Sequence, residues 1–248
     1  MAEIKDYDKI IARLNDDKEY YGEFGSQYLH NSDINTLINN PMMYGETRED
    51  TLPMLIGRTF HEMLLFNNHS QPYIDASTRT TKIYKTELEE YDEQLVLLKK
   101  EYEQIVELKN KAANHQLVAD VLKDKSIKKE VPNVGTLTDN LIEWACKADI
   151  VTDTHVYDIK TTSSLAGFRN KSRLYNYDSQ AYIYSSMFQK PMRFLVIEKG
   201  TGCIGLFETT DEAYDRGMEK VEKAEEMYIK YFLYKTDKVE NHYTYGEI

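Results

Sequence analysis

The stretch Ala148-Asp149-Ile150-Val151-Thr152-Asp153-Thr154-His155-Val156-Tyr157-Asp158-Ile159-Lys160-Thr161-Thr162 decides the reading of this chain. Two short apolar runs flank the polar break at 152–155, which predicts a β-hairpin. Asp149 falls on the first strand. Asp158 and Lys160 fall on the second, two residues apart, so their side chains leave the same face. Carboxylates hold hard divalent cations through oxygen. Such a cation activates water and offsets the charge that develops on a phosphate. A lysine acts on the attacking water as a point charge. Two carboxylates and a lysine converging from adjacent strands therefore suit a metal-dependent phosphodiesterase. Taken alone, an Asp-x-Lys pair on a strand is also an ordinary solvated face.

Two further segments bear on that choice. In Leu55–Phe66, apolar residues at 56, 60, 63 and 64 form a helical stripe. Gly57 and His61 lie four apart and share a face. A glycine one turn before a histidine lets another backbone or a metal site come close. A helical histidine of this kind also serves as a satisfied, partly buried core residue. In Tyr175–Phe188, Asp178 or Ser179 suits a helix cap. Gln180 and Tyr184 share a face there, where an amide and a phenol could hold a phosphate or a base near metals. The alternative is a core tyrosine beside an exposed glutamine.

In this order the three segments resemble the PD-(D/E)xK nuclease superfamily, and within it the phage RecE-type and lambda-exonuclease-like group. The matching pieces are Gly57-x-x-x-His61 followed by Leu64-Leu65, then Asp149, Asp158 and Lys160, then Gln180-x-x-x-Tyr184. The segment from Leu29 to Pro41 is similar to the short helix that opens these domains. The resemblance implies an α/β fold, with a central mixed β-sheet, flanking helices and a restriction-endonuclease-like core. It implies metal binding at Asp149, Asp158, Ile159, Glu130 and His61, with one or two Mg²⁺ (or Mn²⁺) ions. It implies catalytic roles for Asp149, Asp158, Lys160, His61, Gln180 and Tyr184. Ala148 stands where the superfamily pattern has proline, and Asp158 stands where glutamate is commoner. Neither change removes a ligand oxygen.

Net charge is the main argument against a nucleic-acid enzyme, because nonspecific DNA binding rests on phosphate neutralisation and the chain carries a formal charge of −11. Its distribution answers part of that. From Ile159 to Tyr177 there is no acid, while Lys160, Arg169, Lys171 and Arg173 alternate with Phe168, Tyr175 and Tyr177. Basic groups for phosphates beside rings for bases suit a strand channel, so Arg169, Lys171, Arg173 and Tyr177 are the expected DNA contacts. A second acid-free run, Ala76–Thr86, holds Arg79, Lys82 and Lys85. Either run also reads as a solvated loop. Acids concentrate between Glu208 and Glu226.

Two cysteines, Cys146 and Cys203, exclude a disulfide framework and are too few for a four-thiolate iron–sulfur site. The charged start Met-Ala-Glu-Ile-Lys-Asp does not resemble a signal peptide. No apolar run approaches the ~20 residues that span a bilayer. The expected location is cytoplasmic, in a bacterial host cell if phage-encoded, with no membrane partner.

The organisation expected is a single nuclease domain over 1–248, with 1–30 as an N-terminal extension containing a helix at 5–15 and a tyrosine-rich connection. Ser32 is expected to cap a short helix that Pro41 ends. Leu88, Tyr91, Leu95, Leu98, Tyr102 and Ile105, spaced by threes and fours, predict a long helix over 86–115, lying on the domain or projecting as a coiled-coil arm. Another helix is expected at 117–123. Strands are expected near 128–134, 141–151 and 155–162, a second hairpin at 193–207, and a final helix over 211–233.

The function that follows is a metal-dependent deoxyribonuclease, and the resemblance makes it an exonuclease. The resemblance adds the rest: processive digestion of one strand of linear duplex from its end, in the 5′-to-3′ direction, with a single-stranded product, as in phage recombination. It also implies a trimeric or tetrameric ring and a single-strand annealing partner protein. Two alternatives remain at this level, a structure-specific endonuclease on the same scaffold and a non-catalytic module that binds DNA ends or proteins.

Overall fold

The computed structural model describes residues 5–46, 50–91 and 95–243. In chain order it contains α1 (Tyr7–Leu14), α2 (Asp17–Tyr20), α3 (Asp33–Asn39), α4 (Leu52–Phe66), β1 (Tyr73–Ile74), α5 (Lys82–Leu88) and β2 (Leu97–Leu98). Then come α6 (Lys99–Ala113), α7 (Gln116–Leu122), β3 (Lys128–Thr136), β4 (Glu143–Val151) and β5 (Val156–Thr162). Last are α8 (Phe168–Leu174), α9 (Tyr177–Phe188), β6 (Met192–Glu198), β7 (Ile204–Glu208) and α10 (Asp211–Tyr228), which runs into a π-turn at Ile229–Leu233.

The predicted hairpin forms, as β4 and β5. It sits at the centre of a five-stranded sheet of order β3-β4-β5-β6-β7. Only β5 and β6 run parallel; the other pairs are antiparallel. The sheet is mixed and helices cover both faces, as expected. One face packs Ile150, Tyr157, Ile159, Leu195 and Ile197 against α4 and α6. The other packs Trp144, Cys146, Ala148, Phe194 and Val196 against α9, α10 and α3. Burial on both faces explains why β4 and β5 read as continuous apolar runs rather than as alternation. The α9–α10 crossing is close. A Cβ on Gly217 would sit 2.3 Å from the Asp178 carbonyl oxygen, so α10 needs glycine there. No helix among the described residues is long and apolar enough to cross a membrane.

Two expectations are corrected. The helix predicted over 86–115 is two helices, α5 and α6, and its residues 92–94 lie outside those described. The reason is tertiary. Leu97 and Leu98 pair in parallel with Tyr73 and Ile74, and Val96 is fully buried, so this apolar run is spent on a small second sheet. The Glu101 carboxylate then accepts from the Leu98 N–H at 2.9 Å and starts α6 afresh. Second, Ser32 makes no capping bond with its side chain. The Asp33 carboxylate instead accepts from the His30 N–H at 2.8 Å. The N-terminal extension packs on the sheet where described. Leu14, Tyr20 and Tyr28 pack on Val134 and Ala145 of the sheet, and buried Lys147 pairs with Asp17.

Candidate functional site

Strands β4 and β5 are in register only at Ile150–Tyr157 and Val151–Val156. Beyond these they splay, and the site fills the gap. Asp149 Oδ2 reaches across it to accept from the Ile159 N–H at 2.5 Å. This satisfies a buried donor that the ladder has abandoned. The same oxygen lies 2.6 Å from His61 Nε2, on α4.

The opposite ring nitrogen, His61 Nδ1, lies 3.5 Å from Glu130 Oε1. Glu130 comes from β3, where Lys129 pairs with Ile150 and Val131 with Ala148, but the Glu130–Asp149 pair between them is missing. Glu130 has φ +49°, a left-handed conformation inside a strand. That costs of order 1–3 kcal/mol and is held by surrounding structure. Its neighbour Lys129 supplies one hold, donating to the Leu65 carbonyl at the end of α4. The distortion thus tethers β3 to the helix that carries His61 and leaves the Glu130 carboxylate beside it.

Ligand atoms of His61, Glu130 and Asp149 all lie within 4.8 Å of one another. Burial opposes the charged imidazolium, but the Asp149 carboxylate, by its charge and hydrogen bond, and Glu130 outweigh it and lift His61 to about 10. Protonated His61 is thus the stand-in cation around which two carboxylates gather. Oxygen and imidazole donors at this spacing fit a divalent metal ion.

Asp158 and Lys160 stand next to this cluster. Lys160 Nζ is 2.6 Å from Asp158 Oδ2. That oxygen has no well-aligned hydrogen bond, although it is buried. Gln180 Nε2 donates to Asp158 Oδ1 at 2.5 Å. Burial lifts Asp158 to about 6, with the Asp149 charge adding to the rise and Lys160 and His61 opposing it. Burial works against the Lys160 ammonium too, yet Asp158 and Asp149 hold its pKa above the ordinary lysine value. Lys160 is therefore a fixed positive charge at neutral pH and cannot accept a proton.

The expected site residues separate into groups. Asp149, Asp158, Lys160, His61, Glu130 and Gln180 come together, around the backbone of Ile159. Tyr184 stands apart from that group: its buried hydroxyl donates to the Lys147 carbonyl at 3.1 Å, which braces β4. At Gly57 a Cβ would meet nothing within 4 Å among the described residues, so the space beside His61 is open.

The basic run divides. Arg169 and Arg173 share one face of α8, while Lys171 Nζ turns away to donate to Ser163 Oγ at 2.7 Å. The Tyr177 ring lies 5.0 Å from Lys160 Nζ. In the second run Arg79 pairs with Glu101 at 2.5 Å. Sequence reasoning missed Lys129, whose role depends on where α4 ends. It also missed Arg216 of α10, which stands opposite Arg169 and Arg173 although it lies in an acid-rich helix.

Residues 39–232 match the family model described as a PDDEXK-like domain of unknown function (DUF3799). Among solved structures the chain is similar to a candidate exonuclease from Eubacterium rectale, with a TM-score of 0.61 at 14% identity over 94% of this chain and 95% of that one. At that identity the likeness is one of fold. A phage-related exonuclease from Haemophilus somnus 129PT aligns with a TM-score of 0.36 at 14% identity, over 85% of this chain and 96% of that one. No curated protein is significantly similar in sequence.

Proposed function

We propose, for a chain that belongs to the DUF3799 family of PDDEXK-like domains, that it is a divalent-metal-dependent exodeoxyribonuclease. One observation carries the reading. His61, Glu130 and Asp149 form a metal-sized cluster immediately beside the Asp158–Lys160 pair. Asp149, Glu130, His61 and Asp158, with the backbone oxygen of Ile159, would hold one or two Mg²⁺ or Mn²⁺ ions. A bound ion would supply charge stabilisation on the phosphate and an acidified water.

The chain's own groups do the rest. Lys160 is a permanent cation that orients the attacking water and a phosphate oxygen. Gln180 fixes Asp158 in one rotamer. Asp149 holds the imidazole of His61 and the backbone of Ile159 in place. Digestion of linear duplex from its end, 5′-to-3′ polarity, processivity in a trimeric or tetrameric ring, and an annealing partner in phage-type recombination are carried by the family resemblance. Apolar surface on the helix at 99–113 does not add to the case for a ring, since Ile105, Leu108 and Ala112 pack on the chain's own core.

The test compares end-labelled linear duplex with nicked circular duplex, in Mg²⁺ and in EDTA, with a competitor-DNA trap added after initiation. Metal-dependent loss of linear DNA alone, continuing past the trap, is the expected result. Cleavage of DNA without a free end moves the reading to a structure-specific endonuclease. Metal binding without cleavage moves it to a non-catalytic DNA-binding module.

Gly57 offers a check on where the substrate runs. Glycine inside a helix costs roughly 0.5–1 kcal/mol relative to alanine, and a methyl group at 57 meets open space. Gly57→Ala is expected to raise the melting temperature yet lower cleavage, because the methyl occupies room next to His61 that the DNA backbone needs. A stabilised variant with unchanged cleavage would place the substrate elsewhere.

A further inference from the structure

A groove of about 840 Å³ runs between α8 and the corner where β7 turns into α10. That volume is within the range of small-ligand sites. One wall carries Arg169 and Arg173, one helical turn apart, and the other carries Arg216. The floor is aromatic. Phe168 stacks on Tyr177 with ring centroids 5.6 Å apart, and Tyr177 lies 5.4 Å from Phe194. Tyr175, outside the groove lining, is 56% exposed, with its ring 6.0 Å from that of Tyr177.

The groove also contains acids, and their partners decide its sign. Asp178 is 5% exposed and accepts from Lys220 Nζ at 2.7 Å. Glu208 accepts from Arg193 at 2.6 Å. Glu212 is the remaining acid, with Arg216 nearby. Arg169 and Arg173 enter no ion pair among the described residues. The balance is positive along the α8 wall. Asp178 Oδ2 and Arg216 Nε face each other at 3.7 Å, and both are buried without a hydrogen-bond partner. A buried orphan pair of this kind calls for an explanation. Asp178 here holds a guanidinium at the groove wall with donor capacity left over.

Position supplies the last link. Tyr177 lines the groove and its ring lies 5.0 Å from Lys160 Nζ, so this one side chain links the groove to the candidate catalytic lysine. We propose that it binds single-stranded DNA adjoining the scissile phosphate, with Arg169, Arg173 and Arg216 taking phosphates and a base stacking on Tyr175 and Tyr177. The proposal rests on the deoxyribonuclease reading. It specifies a single strand because a base offers its ring face to tyrosine only when unpaired.

The test uses the full chain in EDTA and a fluorescent oligodeoxythymidine of about ten nucleotides, within the site sizes of single-strand binders. Arg169→Ala and Arg216→Ala are each expected to weaken binding about tenfold and to reduce the slope of log affinity against log salt by about 0.7. Tyr175→Ala is expected to weaken binding roughly five- to hundredfold with the salt slope unchanged, because stacking releases no counterions. Its exposed position protects it from a folding defect that Arg216→Ala could suffer, and melting curves accompany every variant. Wild-type affinity in Arg169→Ala and Tyr175→Ala would overturn the groove, as would tighter binding of a duplex of equal length. Cleavage by the unaltered protein in Mg²⁺ is read separately. Cleavage with groove variants that bind normally defeats the groove alone, whereas groove-dependent binding without cleavage defeats the nuclease reading.

Discussion

Replacing Asp149 with alanine should lower metal-dependent cleavage by about a thousandfold or more. The size follows from its position. Asp149 Oδ2 meets His61 Nε2 and the Ile159 N–H, and the carboxylate belongs to the cluster with Glu130. Losing it removes a metal ligand, and metal charge acts chiefly on the transition state. Each ~1.4 kcal/mol so lost is a factor of ten in rate. The alanine variant should also lose stability, because it leaves the buried Ile159 N–H without its acceptor, at about 1–3 kcal/mol. Asp149→Asn separates the two effects. Its amide oxygen still accepts from Ile159, so it should melt above Asp149→Ala, short of wild type by the charge it no longer gives His61, while cleavage remains lost. The rise in melting temperature that Mg²⁺ gives the unaltered protein should vanish in both variants. Near wild-type turnover by Asp149→Asn would remove this residue from the site.

The part of this site that was legible in the sequence is the part governed by strand periodicity. Asp158 and Lys160 share a face because alternate side chains must, and Lys160 Nζ does lie on Asp158. The apolar runs around 152–155 do form the hairpin. Legibility fails where backbone leaves its regular form. Glu130, named in the sequence only through the family resemblance, joins His61 through a left-handed φ inside a strand, which no pattern of residue types announces. It also fails where one helix face meets two strands. Gln180 and Tyr184 share a face as read, but Gln180 lands on Asp158 of one strand and Tyr184 on the Lys147 carbonyl of the next. The apolar stripe from Leu88 to Ile105 looked like one helix because spacing carries no record of tertiary partners. Val96, Leu97 and Leu98 found theirs beside Tyr73 and Ile74. Arg216 was invisible for the same reason: its neighbours on α8 are more than forty residues away in sequence.

Lys160→Ala should reduce cleavage by about 10²–10³-fold, the loss typical of removing one preorganised donor to developing charge, while leaving the His61, Glu130 and Asp149 ligands in place. The contrast with Asp149 comes from the geometry. Lys160 is no part of the cluster of His61, Glu130 and Asp149, so Mg²⁺ should still raise the melting temperature of Lys160→Ala. Its contribution is a charge, held protonated by Asp158 and Asp149. A second consequence concerns pH. Asp158 sits at about 6, lifted by burial and by Asp149 and held down in part by Lys160. Removing the lysine removes that opposing charge, so the carboxyl pKa climbs further and its ionised fraction near pH 7 falls. Raising the pH restores the carboxylate. The residual activity of Lys160→Ala should therefore increase with pH above 7, where the unaltered enzyme, with Asp158 already ionised, is flat in this group. Lys160→Arg keeps the charge and should keep the flat profile, but its planar fork replaces a compact ammonium and recovers only part of the rate. A Lys160→Ala enzyme that cleaves normally would take the lysine out of the chemistry. One that cleaves slowly with no dependence on pH would show that it acts on the water or phosphate alone and not through Asp158.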